Sequence, residues 1–94
     1  MVNIEREDGG KHGRWVIYED GQPAGEMTYT WAGATKFIIE HTGVEKAFGG
    51  KGYGKMLLMA AVEFARSSGV KILPVCAFAK AEFDKNDSLS DVRF

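Results

Sequence analysis

Four β-type segments, each closed by a tight-turn signal, fill the first half of the chain before any helical period begins. Val2 to Glu7 alternates weakly and reads as an edge strand, followed by the turn Asp8-Gly9-Gly10. Arg14 to Glu19 contains the aromatic and β-branched run WVIY, a strand composition, and Asp20-Gly21-Gln22-Pro23 turns the chain. Ala24 to Trp31 alternates around Met27, Tyr29 and Trp31, and Ala32-Gly33-Ala34 follows as a turn. Thr35 to Val44 contains KFIIEHTGV and makes the fourth strand. Linkers this short can join only antiparallel neighbours, so the first half is an antiparallel meander.

The period then changes. Over Lys55 to Ser68, Leu57, Leu58, Ala61, Val62, Phe64, Ala65 and Ser68 share one broad face at about 100° per residue, with Glu63, Arg66 and Ser67 opposite. Gly69 follows as a helix C-terminus prefers. Val70 to Ala77 (VKILPVCA) reads as a mostly buried strand and Phe78 to Lys85 as a short helix. Asn86 to Phe94 is polar and reads as loop, a loose tail from about residue 87. The order is β-β-β-β-α-β-α. A right-handed crossover makes strands four and five parallel neighbours. The expected architecture is α+β: a mixed, mostly antiparallel sheet with a helix on one face, in a single domain over residues 1–94.

Charge and cysteine usage narrow the function classes. Twelve basic and thirteen acidic residues give a net charge of -1, which supplies no global positive field for nucleic acid. No apolar run nears the roughly 20 residues that span a bilayer, and MVNIEREDGG is too polar for a signal peptide. Cys76 is the only cysteine, so no internal disulfide forms. We expect a cytoplasmic monomer with no nucleic-acid or membrane partner. No second histidine or cysteine cluster supports a metal site.

Between the meander and the helix lies GGKGYGK, Gly49 to Lys55. A loop entering a helix N-terminus points unpaired N–H groups outward, and the helix dipole adds partial positive charge. Glycines let the backbone approach a ligand and take positive φ, and Lys51 and Lys55 add cations. These features suit a phosphate or diphosphate; the plainer reading is a flexible connector. The Walker A pattern fails because Met56 stands where Ser or Thr must hold magnesium. The dinucleotide spacing G-x-G-x-x-G is absent.

Gly49-Gly50-Lys51-Gly52-Tyr53-Gly54 resembles the acetyl-CoA loop of the GCN5-related N-acetyltransferases, whose usual pattern is [Q/R]-x-x-G-x-[G/A]. Gly52 and Gly54 match, and Gly49 stands where Gln or Arg is usual. The chain is similar to a minimal single-domain subfamily almost end to end, through His41-Thr42-Gly43-Val44, the loop, the helix KMLLMAAVEFARSSG and the strand Ile72-Leu73-Pro74-Val75-Cys76. The resemblance implies the acyl-CoA N-acyltransferase fold without its usual N-terminal helical pair, with strands four and five splayed apart. It implies that acetyl-CoA is the co-substrate, that Thr42, Gly43 and Val44 line the pantetheine arm, and that Gly49, Gly50, Lys51, Gly52, Tyr53, Gly54 and Lys55 hold the diphosphate. Two residues fit this independently. Gly43 inside a strand suggests a bulge or a close backbone approach. Pro74 removes a ladder donor, as suits either separated strands or an edge strand.

Transfer to an amine needs a deprotonated nucleophile and a proton source for the departing thiolate. Cys76 is one candidate, since the resembled subfamily carries a cysteine here as nucleophile or catalytic thiol; a buried small hydrophobe is the plainer reading. His41, at the end of a hydrophobic strand, is the other, as a base. The two would act as a pair only within hydrogen-bond reach. Tyr53 packs under the loop or donates to a phosphate. Lys80 and Lys85 are candidates for a 3′-phosphate or plain solvated residues. The expected activity is acetyl transfer from acetyl-CoA to an unidentified amine acceptor. The alternatives are a CoA-binding module with little catalysis and a protein-interaction domain with a cationic loop.

Overall fold

Asp20 and Gly21 both take positive φ, 51° and 84°, the two-residue turn whose twist matches that of the strands it joins. It connects β2 (His12–Glu19) to β3 (Gln22–Trp31) in a computed structural model that describes residues Met1–Phe94. With β1 (Val2–Asp8), β4 (Lys36–Val44) and β5 (Lys71–Pro74) these form one five-stranded sheet of order β1-β2-β3-β4-β5. The first four strands are antiparallel and β5 runs parallel to β4, as expected from the crossover.

Helix α1 (Tyr53–Ser68) makes that crossover and lies on one face of the sheet. Its buried residues, Leu57, Leu58, Ala61, Val62 and Ala65, are those of the periodic stripe. They join a core with Trp15, Ile17, Met27, Tyr29, Phe37, Ile39 and Ile72. Each fully buried Leu, Ile, Val or Phe contributes roughly 1.5–3 kcal/mol. Phe64 is only partly buried, its ring edge-on to Trp15 at 5.8 Å and under the Arg6 guanidinium at 4.1 Å. Ser68 is exposed. Gly69 ends the helix in the left-handed region at φ 70°.

Beneath the meander, the buried Tyr29 hydroxyl donates to Asp8, which also accepts from Trp31 Nε1 and the Gly10 amide. Arg6 donates to both Asp8 and the Tyr29 oxygen. Residue 13 must be glycine for this ring to lie across β2. A Cβ there would sit 2.4 Å from the Tyr29 ring.

The C-terminal segment differs from the loose tail expected from residue 87. Asp87–Val92 is a 3-10 helix with Leu89 and Val92 buried, and the Phe94 amide donates to the Ile72 carbonyl. Its apolar residues are too few and too widely spaced to show a period, yet they join the core beside α1 and α2, while Arg93 and Phe94 pair along the outer edge of β5. The fifth strand is also shorter than the expected Val70–Ala77. It stops at Pro74, and Val75 and Cys76 lead into helix α2 (Ala77–Lys85).

Candidate active site

Strands β4 and β5 part at a single carbonyl. Ile39↔Pro74 is their last pair, and the Ile39 oxygen accepts from both the Val75 and Cys76 amides, at 3.0 and 3.1 Å. Beyond it β4 runs on to Val44 with β3 alone as neighbour, so its β5-side edge is free. Pro74 closes the paired stretch on what is also an edge strand. Both readings of that proline hold together.

The loop meets this free edge. After a 3-10 turn at Lys46–Phe48, Gly50 and Gly52 take φ 78° and 77°, and Gly52 is the N-cap of α1 with no side-chain cap. No backbone N–H from Gly50 through Lys55 has an acceptor in the chain. At the positive end of the α1 dipole, all of these residues but Lys51 line a cavity of about 300 Å³. Thr42 and Val44 form its β4 wall, and Phe48, Phe78, Tyr53 and Lys55 line it with glycines 49, 50, 52 and 54. Gly54 admits the Phe78 ring, which a Cβ would meet at 3.2 Å. The cavity combines unpaired N–H donors, a free strand edge and a cation, a donor set that suits a diphosphate carrying an amide-bearing chain.

The two lysines of the loop behave differently. Lys55 lines the cavity and has no ion-pair partner. Lys51 does not line it: its Nζ lies 2.6 Å from Glu19 Oε1, and the buried Tyr53 hydroxyl donates to the same oxygen. Lys51 and then Tyr53 hold the Glu19 carboxyl below its usual range, while Glu19 raises Lys51 and Tyr53. Lys80 and Lys85 are paired with Asp84 and Glu82 within α2.

Cys76 caps α2. Its Sγ accepts from the Ala79 amide at 3.4 Å and lies 3.4 Å from Thr42 Oγ1. The structure does not bring His41 to it. Strand β4 carries a bulge in which Tyr29 faces Ile39 and Thr28 faces His41, leaving Glu40 as the extra residue. One extra residue reverses the alternation, so Thr42 takes the helix side with Ile39 and His41 turns to the opposite face. The bulge thus sits three residues before the glycine that suggested it. At Gly43 itself a Cβ would meet no neighbouring backbone but would lie 2.9 Å from His41 Nε2. His41 makes no hydrogen bond and opens onto a second concavity of about 330 Å³ on the uncovered face, with Arg14, Glu26, Gly43 and Glu45. Val44 borders both cavities.

Sequence reasoning missed Glu19, Phe48 and Phe78. Nothing local marks them, because each acquires its place from contacts with distant residues. No helix is long and apolar enough to cross a membrane, and no cluster of potential metal ligands occurs.

Residues 14–92 match the family model described as GCN5-related N-acetyl-transferase. No curated protein sequence matches the chain. Among solved structures, the chain is similar to a GCN5-like candidate N-acetyltransferase from Staphylococcus aureus, with 38% identity over 100% of this chain and 91% of the other at a TM-score of 0.73. A ribosomal-protein-alanine N-acetyltransferase from Brucella melitensis biovar Abortus 2308 has the same TM-score of 0.73 at 13% identity, covering 90% of each chain. A GNAT family acetyltransferase from Elizabethkingia anophelis with acetyl-CoA bound aligns at a TM-score of 0.70 and 11% identity, over 89% of this chain and 72% of the other. The last two likenesses bear on the fold alone.

Proposed function

This chain belongs to the GCN5-related N-acetyltransferase family, and from that premise we propose that it binds acetyl-CoA and transfers the acetyl group to an amine. The observation that carries this reading is that residues with unpaired amides, Gly50 and Gly52 through Lys55, line the same cavity as the free edge of β4. Acetyl-CoA supplies the activated acyl group. The loop amides and Lys55 hold its diphosphate, and the free edge of β4 from His41 to Val44 offers backbone groups to the amides of its pantetheine arm.

The two reactive side chains then divide the work across the sheet. Cys76 stands at the parting of β4 and β5 with its Sγ fixed by Thr42 and the Ala79 amide. There it acts at the acyl end, as nucleophile or as the thiol that gives up a proton. His41 lies on the uncovered face, where Nε2 takes a proton from an amine approaching from that side. The amine nitrogen forms a bond to the acetyl carbon, the C–S bond breaks, and the departing thiolate takes up a proton to leave as free thiol.

Calorimetry with acetyl-CoA and CoA tests the reading. Binding at micromolar to millimolar concentration is expected, and no heat at millimolar ligand would overturn it. One observation favours a second reading, a CoA-binding module with little catalysis: Cys76 and His41 do not form a hydrogen-bonded pair. Binding without acetylation across a panel of amines would select that reading.

A further inference from the structure

Helix α1 begins at an N-cap glycine with no side chain to bond its first amides. Gly52 offers no side-chain acceptor, and no acidic residue stands in the first turn. Upstream, the loop is held through Phe48 and Gly49, which donate to Glu45 and Lys46. Between Gly49 and the first helical bond, from the Met56 amide to the Gly52 carbonyl, no backbone hydrogen bond holds the chain. A segment so rich in glycine would sample many conformations unless a side chain fixed it.

We propose that Glu19 is the positioning residue of this loop. Its Oε1 accepts from Lys51 Nζ at 2.6 Å and from the Tyr53 hydroxyl. These donors flank Gly52, so one carboxylate oxygen clamps both sides of the left-handed N-cap and sets the direction of the amides around it. Glu19 is itself anchored. It ends β2 opposite Gln22, and the neighbouring Asp20 binds the Met1 amino group at 2.5 Å. The Lys51 ammonium also lies 5.5 Å from the Phe48 ring centre, tying the upstream turn to the same point. Lys51 therefore serves the loop rather than the ligand, and Lys55 is the cation that faces the cavity. Preorganisation of this kind raises affinity by reducing the ordering cost of binding. The proposal rests on the loop being the diphosphate cradle.

The test compares wild type, Glu19→Gln, Glu19→Ala, Lys51→Met and the Glu19→Ala/Lys51→Met double variant. Backbone ¹⁵N relaxation of the free proteins reads the Gly50 and Gly52 amides, and calorimetry reads CoA affinity. In Glu19→Ala the order parameters at both glycines should fall from near 0.85 to below about 0.6, and the CoA Kd should rise about tenfold. Glu19→Gln keeps an acceptor for Tyr53 and should fall between; it carries both measurements if the alanine variant does not fold. Lys51→Met should weaken binding alone and add nothing to Glu19→Ala. Unchanged order parameters in a folded Glu19 variant would overturn the proposal, as would an additive Lys51→Met effect, which is the mark of a direct phosphate contact. If wild type binds no CoA, the acetyl-CoA reading fails, while the relaxation data still decide whether Glu19 fixes the loop.

Discussion

The thiol of Cys76 and the hydroxyl of Thr42 lie 3.4 Å apart, across the gap that opens where β4 leaves β5. On the proposed reading, replacing Cys76 by Ala should lower the acetylation rate by about 10²–10⁴-fold, the range for losing a positioned proton-transfer group. Thr42→Val, which removes the hydroxyl and keeps the shape, should lower it less. Both should leave the CoA Kd within about twofold by calorimetry. Full activity in Cys76→Ala would remove the thiol from the chemistry.

Gly43 and His41 make a separate prediction. A methyl at residue 43 would meet His41 Nε2 at 2.9 Å, so Gly43→Ala must turn the imidazole away. If His41 serves as the base on the uncovered face, Gly43→Ala and His41→Ala should lower kcat by similar factors, and the double variant should be no worse than either alone. Steady-state kinetics with any accepted amine checks this, and additive losses would count against a shared cause.

Lys55 is the unpaired cation of the cavity. Lys55→Ala should weaken CoA by roughly tenfold and make the remaining affinity less sensitive to salt, since a partly exposed charge is screened. Titrations at two salt concentrations measure both effects. The same variant should bind a ligand lacking the diphosphate as well as wild type does.

Stability at acid pH should follow Asp8. Hydrogen bonds from Tyr29, Trp31 and the Gly10 amide lower its pKa from 3.8 to about 2. A depressed folded-state value stabilises the protein fully above 3.8, and that contribution disappears as pH falls toward about 2. Asp8→Asn should therefore lower Tm at pH 7, and its Tm should vary less than that of wild type between pH 4 and about 2. Thermal melts across that range give the comparison.

The C-terminal 3-10 helix should matter to the core. Ending the chain after Asn86 removes the buried Leu89 and Val92, each contributing roughly 1.5–3 kcal/mol, and uncovers β5. A loss of about 3 kcal/mol corresponds to a Tm drop of about 12–24 °C in a domain of this size. A melting curve unchanged by truncation would mean that the segment packs without stabilising.

The sequence by itself determined the meander, the helix and the location of the loop. Each depends on near neighbours: positive φ at Asp20-Gly21, the 3.6-residue stripe through Leu57, Leu58, Ala61, Val62 and Ala65, the glycine stop at Gly69, and glycines at a helix start. Thr42 and Val44 are named by the family resemblance rather than by any local pattern, and they line the same cavity as the glycines. Tertiary structure alone decided where the chemistry-bearing side chains point. The extra residue at Glu40 reverses the alternation of β4, so His41 turns away from Cys76, and only pairing with β3 reveals that slip. Lys51 reads as a free cation of the loop until Glu19, on a strand end distant in sequence, pairs with it. Residues 87–94 read as tail until α1 and α2 give Leu89 and Val92 a surface to bury and the open edge of β5 pairs with Arg93. Turns and helical periods are set by local sterics, whereas a side chain's partner is set by which distant surface folding brings to it.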